Sequence, residues 1–193
     1  MNQCKTVEPI AAAALESDKI LHGDVMELYQ TIPNDSIPLI VTRPPIWEGS
    51  GSAELRTVLG RESHPVEYIQ KLILHSLEWK RILTKTGSLY LCLGDAYSER
   101  HSLLLLPAAM AIRMSELGWI LRNEICWSHR DPLPCPSPIN RLPCHESIFV
   151  FTKSPRNYYF DHELAKKLGC EFRRKVARRS GNKLPLNPEQ SFQ

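Results

Sequence analysis

Apolar positions along the chain recur with two different periods. Val25, Leu28, Tyr29 and Ile32 fall at i, i+3, i+4 and i+7, which predicts a helix from Val25 to Ile32, with the Asp24 carboxylate placed to cap its first turn. Tyr68, Leu72, Ile73, Leu77, Ile82 and Leu83 form an apolar stripe behind Pro65, a residue suited to a first helical turn, so a second helix is expected from Pro65 to about Leu83. A third is expected from about Leu103 to Leu117, closed by Gly118 as a left-handed cap. Between them, β-branched and aromatic runs predict strands at Lys19 to His22, Ile37 to Thr42, Ser88 to Leu93, Trp119 to Trp127 and Ser147 to Thr152, the last paired with Tyr158 to Asp161.

This alternation implies an α/β fold, a mostly parallel sheet with flanking helices and an antiparallel pair near the C-terminal end. Ile37 to Thr42 is expected at its centre, beside the end of Ser88 to Leu93. Residues 48–64 hold Gly49, Ser50, Gly51, Ser52 and Gly60 with little periodicity and read as a mobile surface loop. Pro132, Pro134, Pro136, Pro138 and Pro143 exclude regular structure between Ser128 and Pro143. The expected organisation is a disordered leader over residues 1–17, a folded region over 18–161 and a basic tail over 162–193.

Composition narrows the class. With 42% hydrophobic and 23% charged residues the chain reads as globular, and no apolar run approaches the roughly 20 residues a bilayer span needs. Six cysteines without a framework spacing read as reduced thiols, and only Lys5 precedes the short alanine run at Ala11 to Ala14, so a cytoplasmic protein without a secretory leader is expected. The net charge of +3 decides nothing, but Lys166, Lys167, Arg173, Arg174, Lys175, Arg178, Arg179 and Lys183 crowd the last quarter. Such a run either tracks phosphates or is a solvated face. His129, Cys135, Cys144 and His145 match no usual zinc spacing, and no metal is expected.

The stretch with most chemical content is Leu39-Ile40-Val41-Thr42-Arg43-Pro44-Pro45-Ile46-Trp47. Pro44 and Pro45 remove two backbone donors and fix φ, so the loop leaves its strand stiff, with carbonyls free to accept. That suits a preorganised binding surface, and it equally suits an ordinary proline-rich strand exit. Four other stretches accompany it in order: Ile20 to Asp24, Gly87 to Asp95, Gly118 to Trp127, and His145 to Ser154.

Together, over roughly residues 19 to 161, these stretches resemble the amino-group DNA methyltransferases, which methylate cytosine N4 or adenine N6, in the order with the Pro-Pro motif ahead of the cofactor motif. The resemblance implies part of a Rossmann-like methyltransferase fold, S-adenosylmethionine as cofactor, double-stranded DNA as partner and a place in restriction-modification, with cytosine N4 favoured over adenine N6. It places Thr42, Arg43, Pro44, Pro45, Ile46 and Trp47 in the catalytic loop and Asp24 and Asp95 at the cofactor. Arg122, Lys153, Arg173, Arg174, Lys175, Arg178 and Arg179 would face DNA. In that chemistry an acceptor side chain and a proline carbonyl bind the amine hydrogens, which returns the nitrogen lone pair for attack on the sulfonium methyl. An aromatic after Pro-Pro stacks on the extruded base.

The chain departs from the pattern at three points. Arg43, with five donors and no acceptor, stands where the acceptor belongs, and Ile46 where the aromatic belongs, although the neighbouring Trp47 could stack if the loop shifted. The glycine-rich cofactor loop is absent: after Gly118 the only glycines are Gly169 and Gly181. An incomplete or degenerate methyltransferase is therefore expected, its cofactor half supplied by a second chain. The alternative is a non-catalytic remnant that binds nucleic acid or a partner methylase.

Overall fold

The computed structural model describes residues 19–49, 58–128, 145–161 and 163–167. Within them run α1 (Val25–Thr31), β1 (Ile37–Thr42), α2 (Pro65–Ile82), β2 (Leu83–Leu93), α3 (Leu106–Glu116), β3 (Ile120–Ser128) and β4 (His145–Thr152). The chain divides into two compact units, Met1–Tyr158 and Tyr159–Gln193. In the second, Asp161 accepts from the Leu164 amide at 2.8 Å and so starts the short helical stretch at residues 163–167.

The sheet of the first unit has the order β1-β2-β4-β3. β1 lies parallel to β2, with Ile40 opposite Leu89 and Thr42 opposite Leu91. β4 is antiparallel to β2 and to β3. The α/β class and the antiparallel pair near the C-terminal end agree with the sequence reading. Three local expectations do not hold. β1 is an edge strand among the described strands, not a central one, and Val41 is 72% exposed. β4 takes β2 and β3 as neighbours, while residues 158–161 form no strand. Residues 19–22 form none either, and Ile20 is 97% exposed, because a strand needs a neighbour for its backbone groups.

Helix ends follow local chemistry. Asp24 Oδ1 accepts from the amides of Met26 at 2.8 Å and Glu27 at 3.3 Å, and Pro65 opens α2 behind the His64 cap. α1 has no glycine cap; Arg81 of α2 instead donates to the carbonyls of Tyr29 at 2.6 Å and Ile32 at 2.9 Å. α3 starts later than expected because Leu105 adopts a left-handed φ of 56° just before it. Gly118, at φ 77°, closes it as predicted.

One face of the sheet is covered by helices. Leu89, Leu91 and Leu93 of β2 and Phe149 and Phe151 of β4 meet Tyr68, Leu72 and Trp79 of α2 and Met110 and Met114 of α3, with Trp119 beside them. Each such burial contributes about 1.5–3 kcal/mol. Alternation along β1 puts Ile40 on this side and Leu39 and Val41 on the other.

The β1–β2 register slips between Ile37 and Leu39, where Gly87 passes close to Pro38. A Cβ on Gly87 would lie 2.8 Å from the Pro38 carbonyl oxygen and 2.8 Å from Leu83 Cδ1. Gly87→Ala should therefore destabilise the fold by about 1–3 kcal/mol in urea denaturation. A change below about 0.5 kcal/mol would mean that β1 slides freely past this point.

Candidate functional site

β1 delivers the Pro-Pro loop to the end of the sheet where β2 finishes, and Pro44 is buried while Pro45 is exposed. Tyr68, on α2, donates its hydroxyl to the Pro45 carbonyl at 2.8 Å. Burial, then the nearby Glu62, pushes the Tyr68 phenol up, so it remains a donor. Pro45 is thus engaged, and among the described residues none donates to the Pro44 carbonyl.

Arg43 turns to the sheet face opposite the core. Its Nε donates to Glu146 Oε2 at 2.8 Å and its Nη2 to Oε1 at 2.6 Å, a bidentate pair joining residues 103 apart in sequence. The carboxylate is 7% exposed and the Arg43 side chain 53%. Hydrogen bonding and charge from Glu146 hold the guanidinium far on the cationic side of its ordinary range. Cys92, near the end of β2 on this face, donates its thiol to Glu146 Oε2 at 3.1 Å. Burial and then Glu146 push that thiol up to about 11. Thr42 stands opposite Leu91 on the core side, away from Arg43, as the strand alternation predicts.

Ile46 and Trp47 are both placed inward. A Cβ on Gly94 would lie 2.6 Å from Ile46 Cδ1, so glycine after β2 leaves the space that Ile46 fills. Trp47 packs against the core and donates Nε1 to the Glu62 carbonyl at 3.1 Å. Glu62 is itself buried, accepting from the Gly60 amide at 2.9 Å and pairing with Lys71 at 2.9 Å. Residues 58–62 therefore fasten Trp47 instead of leaving it free to stack, and the described part of the expected mobile loop is well bonded.

The two acids assigned to the cofactor by resemblance both serve as helix caps. Asp24 caps α1, and Asp95 Oδ1 accepts from Ala96 at 2.8 Å and from Leu106, the first residue of α3, at 3.0 Å. Asp95 also lines a cavity of about 380 Å³ with Leu93, Tyr97, Leu105, Glu124 and His145. Arg122 and Lys153 lie at the other end of the sheet from Arg43. Arg122 donates to the Pro155 carbonyl at 3.1 Å and the Tyr158 hydroxyl at 2.9 Å, and Lys153 pairs with Asp35 at 2.7 Å. Arg173, Arg174, Lys175, Arg178 and Arg179 lie outside the described residues, as do His129, Cys135 and Cys144. Among the described residues no group of three or more His, Cys, Asp or Glu could hold a metal ion, and no helix is long and apolar enough to cross a membrane.

The Pro-Pro loop stands at the carboxyl end of a parallel strand, the position at which open α/β sheets bind their ligands. A family model described as DNA methylase, of the N6 and N4 type, matches residues 37–191, and the chain belongs to that family. It is 26% identical over 181 residues to the type II methyltransferase M.Cfr9I of Citrobacter freundii, covering 79% of this chain and 60% of that protein. It is 33% identical over 144 residues to M.MwoI of Methanothermobacter wolfeii, covering 73% of this chain and 21% of the relative. Among solved structures, the DNA modification methylase TTHA0409 of Thermus thermophilus, complexed with S-adenosyl-L-methionine, is 27% identical at a TM-score of 0.54, covering 75% of this chain and 59% of that one. The cytosine-N4-specific PvuII DNA methyltransferase shares the fold at 20% identity and a TM-score of 0.55, covering 86% of this chain and 63% of that one.

Glu146, Cys92, Tyr68, Gly94 and Glu62 complete the site, and none was singled out as a site residue from sequence. The local signals were Gly94 directly after a buried strand and Glu146, placed by resemblance before the Phe-rich strand as a loop-ordering residue; the others become neighbours only through the sheet order. Removing one partner of the Arg43–Glu146 pair strands a buried carboxylate. Arg43→Ala should cost about 1–3 kcal/mol, less than a fully buried pair because Arg43 is half exposed. Adding Glu146→Gln should recover part of that loss in urea denaturation; no recovery would show that Arg43 acts by packing alone.

The Cys92 thiol titrates at about 11 in the fold against an ordinary 9.0, so its contribution is complete below pH 9 and is lost as pH rises through 11. The group should add at most about 1.4 kcal/mol per pH unit to the fall in stability over that window. Cys92→Ala should remove that part of the slope, and an unchanged slope would place the titration elsewhere.

Proposed function

We propose that the chain carries the base-binding half of an S-adenosylmethionine-dependent DNA amino-methyltransferase, cytosine N4 favoured over adenine N6, acting on double-stranded DNA in the cytoplasm in incomplete or degenerate form. One observation supports this reading above the others: the Pro-Pro loop stands at the carboxyl end of β1 with no described residue donating to the Pro44 carbonyl, while the acceptor position holds an arginine bound to Glu146. The backbone acceptor of the family's chemistry is kept; the side-chain acceptor and the stacking ring are not. The chain spans about three fifths of the length of M.Cfr9I.

The same ion pair favours the alternative, a non-catalytic nucleic-acid-binding or methylase-partner remnant. A guanidinium cannot accept an amine hydrogen, and Trp47 is packed against the core and bonded through Nε1 to the Glu62 carbonyl. Asp24 and Asp95 keep their resemblance-based place at the cofactor only as residues that also cap helices. Arg122 and Lys153 serve chiefly as internal ties, and DNA contact falls to the tail cations Arg173, Arg174, Lys175, Arg178 and Arg179.

The test is tritiated-methyl transfer to unmethylated plasmid, with the methylated nucleoside identified by mass spectrometry. The chain alone should transfer nothing measurable, because loss of each transition-state contact costs about 3 kcal/mol, or two orders of magnitude in rate. Arg43→Ser with Ile46→Tyr and Glu146→Gln should raise transfer only when a cofactor-binding half from a relative is also supplied. Transfer by the native chain alone would assign the chemistry to Thr42, the Pro44 carbonyl and Trp47.

A further inference from the structure

Arg43 uses one edge of its guanidinium and leaves another unused. Nε and Nη2 donate to the two oxygens of Glu146 at 2.8 and 2.6 Å, which leaves the edge formed by Nη1 and Nη2, two parallel N–H groups in a rigid fork. Among the described residues nothing accepts from that second edge, and the Arg43 side chain is half exposed. The buried Glu146 carboxylate fixes the plane of the group, and the Cys92 thiol in turn bonds to Glu146 at 3.1 Å. Directly after Arg43 comes Pro44, whose carbonyl receives no donor from a described residue. A fork of two donors and a backbone acceptor thus belong to consecutive residues at the carboxyl end of β1.

Charge decides what the fork suits. Glu146 already balances the guanidinium, and a phosphate on the second edge would meet the repulsion of that carboxylate. A neutral ligand with two adjacent acceptors carries no such penalty, and an arginine fork matches an acceptor pair of this kind on a nucleobase. Cytosine presents its amine, the N3 acceptor and the O2 acceptor in a row along its pairing edge, which is reachable once the base is unpaired. Adenine offers one acceptor beside its amine and then a C–H, thymine has an N–H between its two oxygens, and the adjacent O6 and N7 acceptors of guanine adjoin no amine. We infer that Arg43 selects cytosine as the base taken by the Pro-Pro loop: its Nη1–Nη2 fork donates to N3 and O2 while the Pro44 carbonyl accepts from the N4 amine, and Glu146 positions the fork. This rests on the amino-methyltransferase reading above and names the residue that chooses the base. The arginine at position 43 exchanges an amine acceptor for a base-selecting pair of donors.

The full chain would be titrated, by fluorescence anisotropy, into short single strands of thymidylate whose central residue is dC, dA, dG, dT or the 3-deaza analogue of dC, which lacks the N3 acceptor. The phosphates are the same in all five, so differences report the base. The dC strand should bind about tenfold tighter than the other four. Arg43→Lys, which keeps the charge and loses the fork, should bring the dC strand to the level of the dT strand. Glu146→Gln should weaken the preference and steepen the loss of affinity with salt by up to about one phosphate contact, because an unbalanced guanidinium then attracts the backbone. Thermal melts check that both variants fold, and the 3-deaza strand tests the fork on the native chain by itself. Equal binding of all five strands, no binding of any, a preference for dA or dG, or a loss on Arg43→Lys that is the same for every strand would overturn the inference, the last in favour of a phosphate contact. A cytosine preference that depends on Arg43, in a chain that transfers no methyl group even with a cofactor-binding half supplied, would refute the methyltransferase reading and leave the base selection standing. Methyl transfer to cytosine that is indifferent to Arg43→Lys would do the reverse.

Discussion

The candidate site depends on β2 being bonded on both sides. β1 takes one edge in parallel and β4 the other in antiparallel, so the backbone of β2 is satisfied along Ser88 to Leu93 and its end is fixed in space. From that end three arrangements follow. Gly94 leaves room for Ile46, Asp95 starts α3, and Cys92 reaches Glu146 at the point where Arg43 arrives from β1. A shift of one residue in either pairing would turn the slipped strand's side chains over and break the cluster of Arg43, Cys92 and Glu146.

The Arg43–Glu146 pair changes what the loop can do. The guanidinium finds its own carboxylate inside the protein and ties the first residue of the loop to the second residue of β4. Desolvating Glu146 is tolerated because the pair is bidentate and the thiol adds a third hydrogen bond. Tyr68 on Pro45 and the Glu62 carbonyl on Trp47 hold the loop from the core side. The result is a loop anchored at three points, in which no described residue donates to the Pro44 carbonyl.

Among the described residues, helices cover one side of the sheet. Trp79, Trp119 and the β2 leucines fill the helical side, while Leu39 and Val41 remain in contact with solvent on the other.

Periodicity in the sequence was enough to locate α1, β1, α2 and the end of β2, because 3.6-residue and two-residue repeats are written locally and Pro65, Gly118 and Asp24 punctuate them. The Pro-Pro loop and the family were legible for the same reason: the motif is contiguous. The strand expected at Lys19 to His22 failed, since a run of apolar residues says nothing about whether a neighbour exists to pair with it. The central place expected for β1 failed likewise, because strand order is a property of the whole sheet. That Arg43 would be bound to Glu146, and Tyr68 to Pro45, was decided only by tertiary structure: the partners are 103 and 23 residues apart, and no local pattern encodes which side chain a strand end will meet across a sheet.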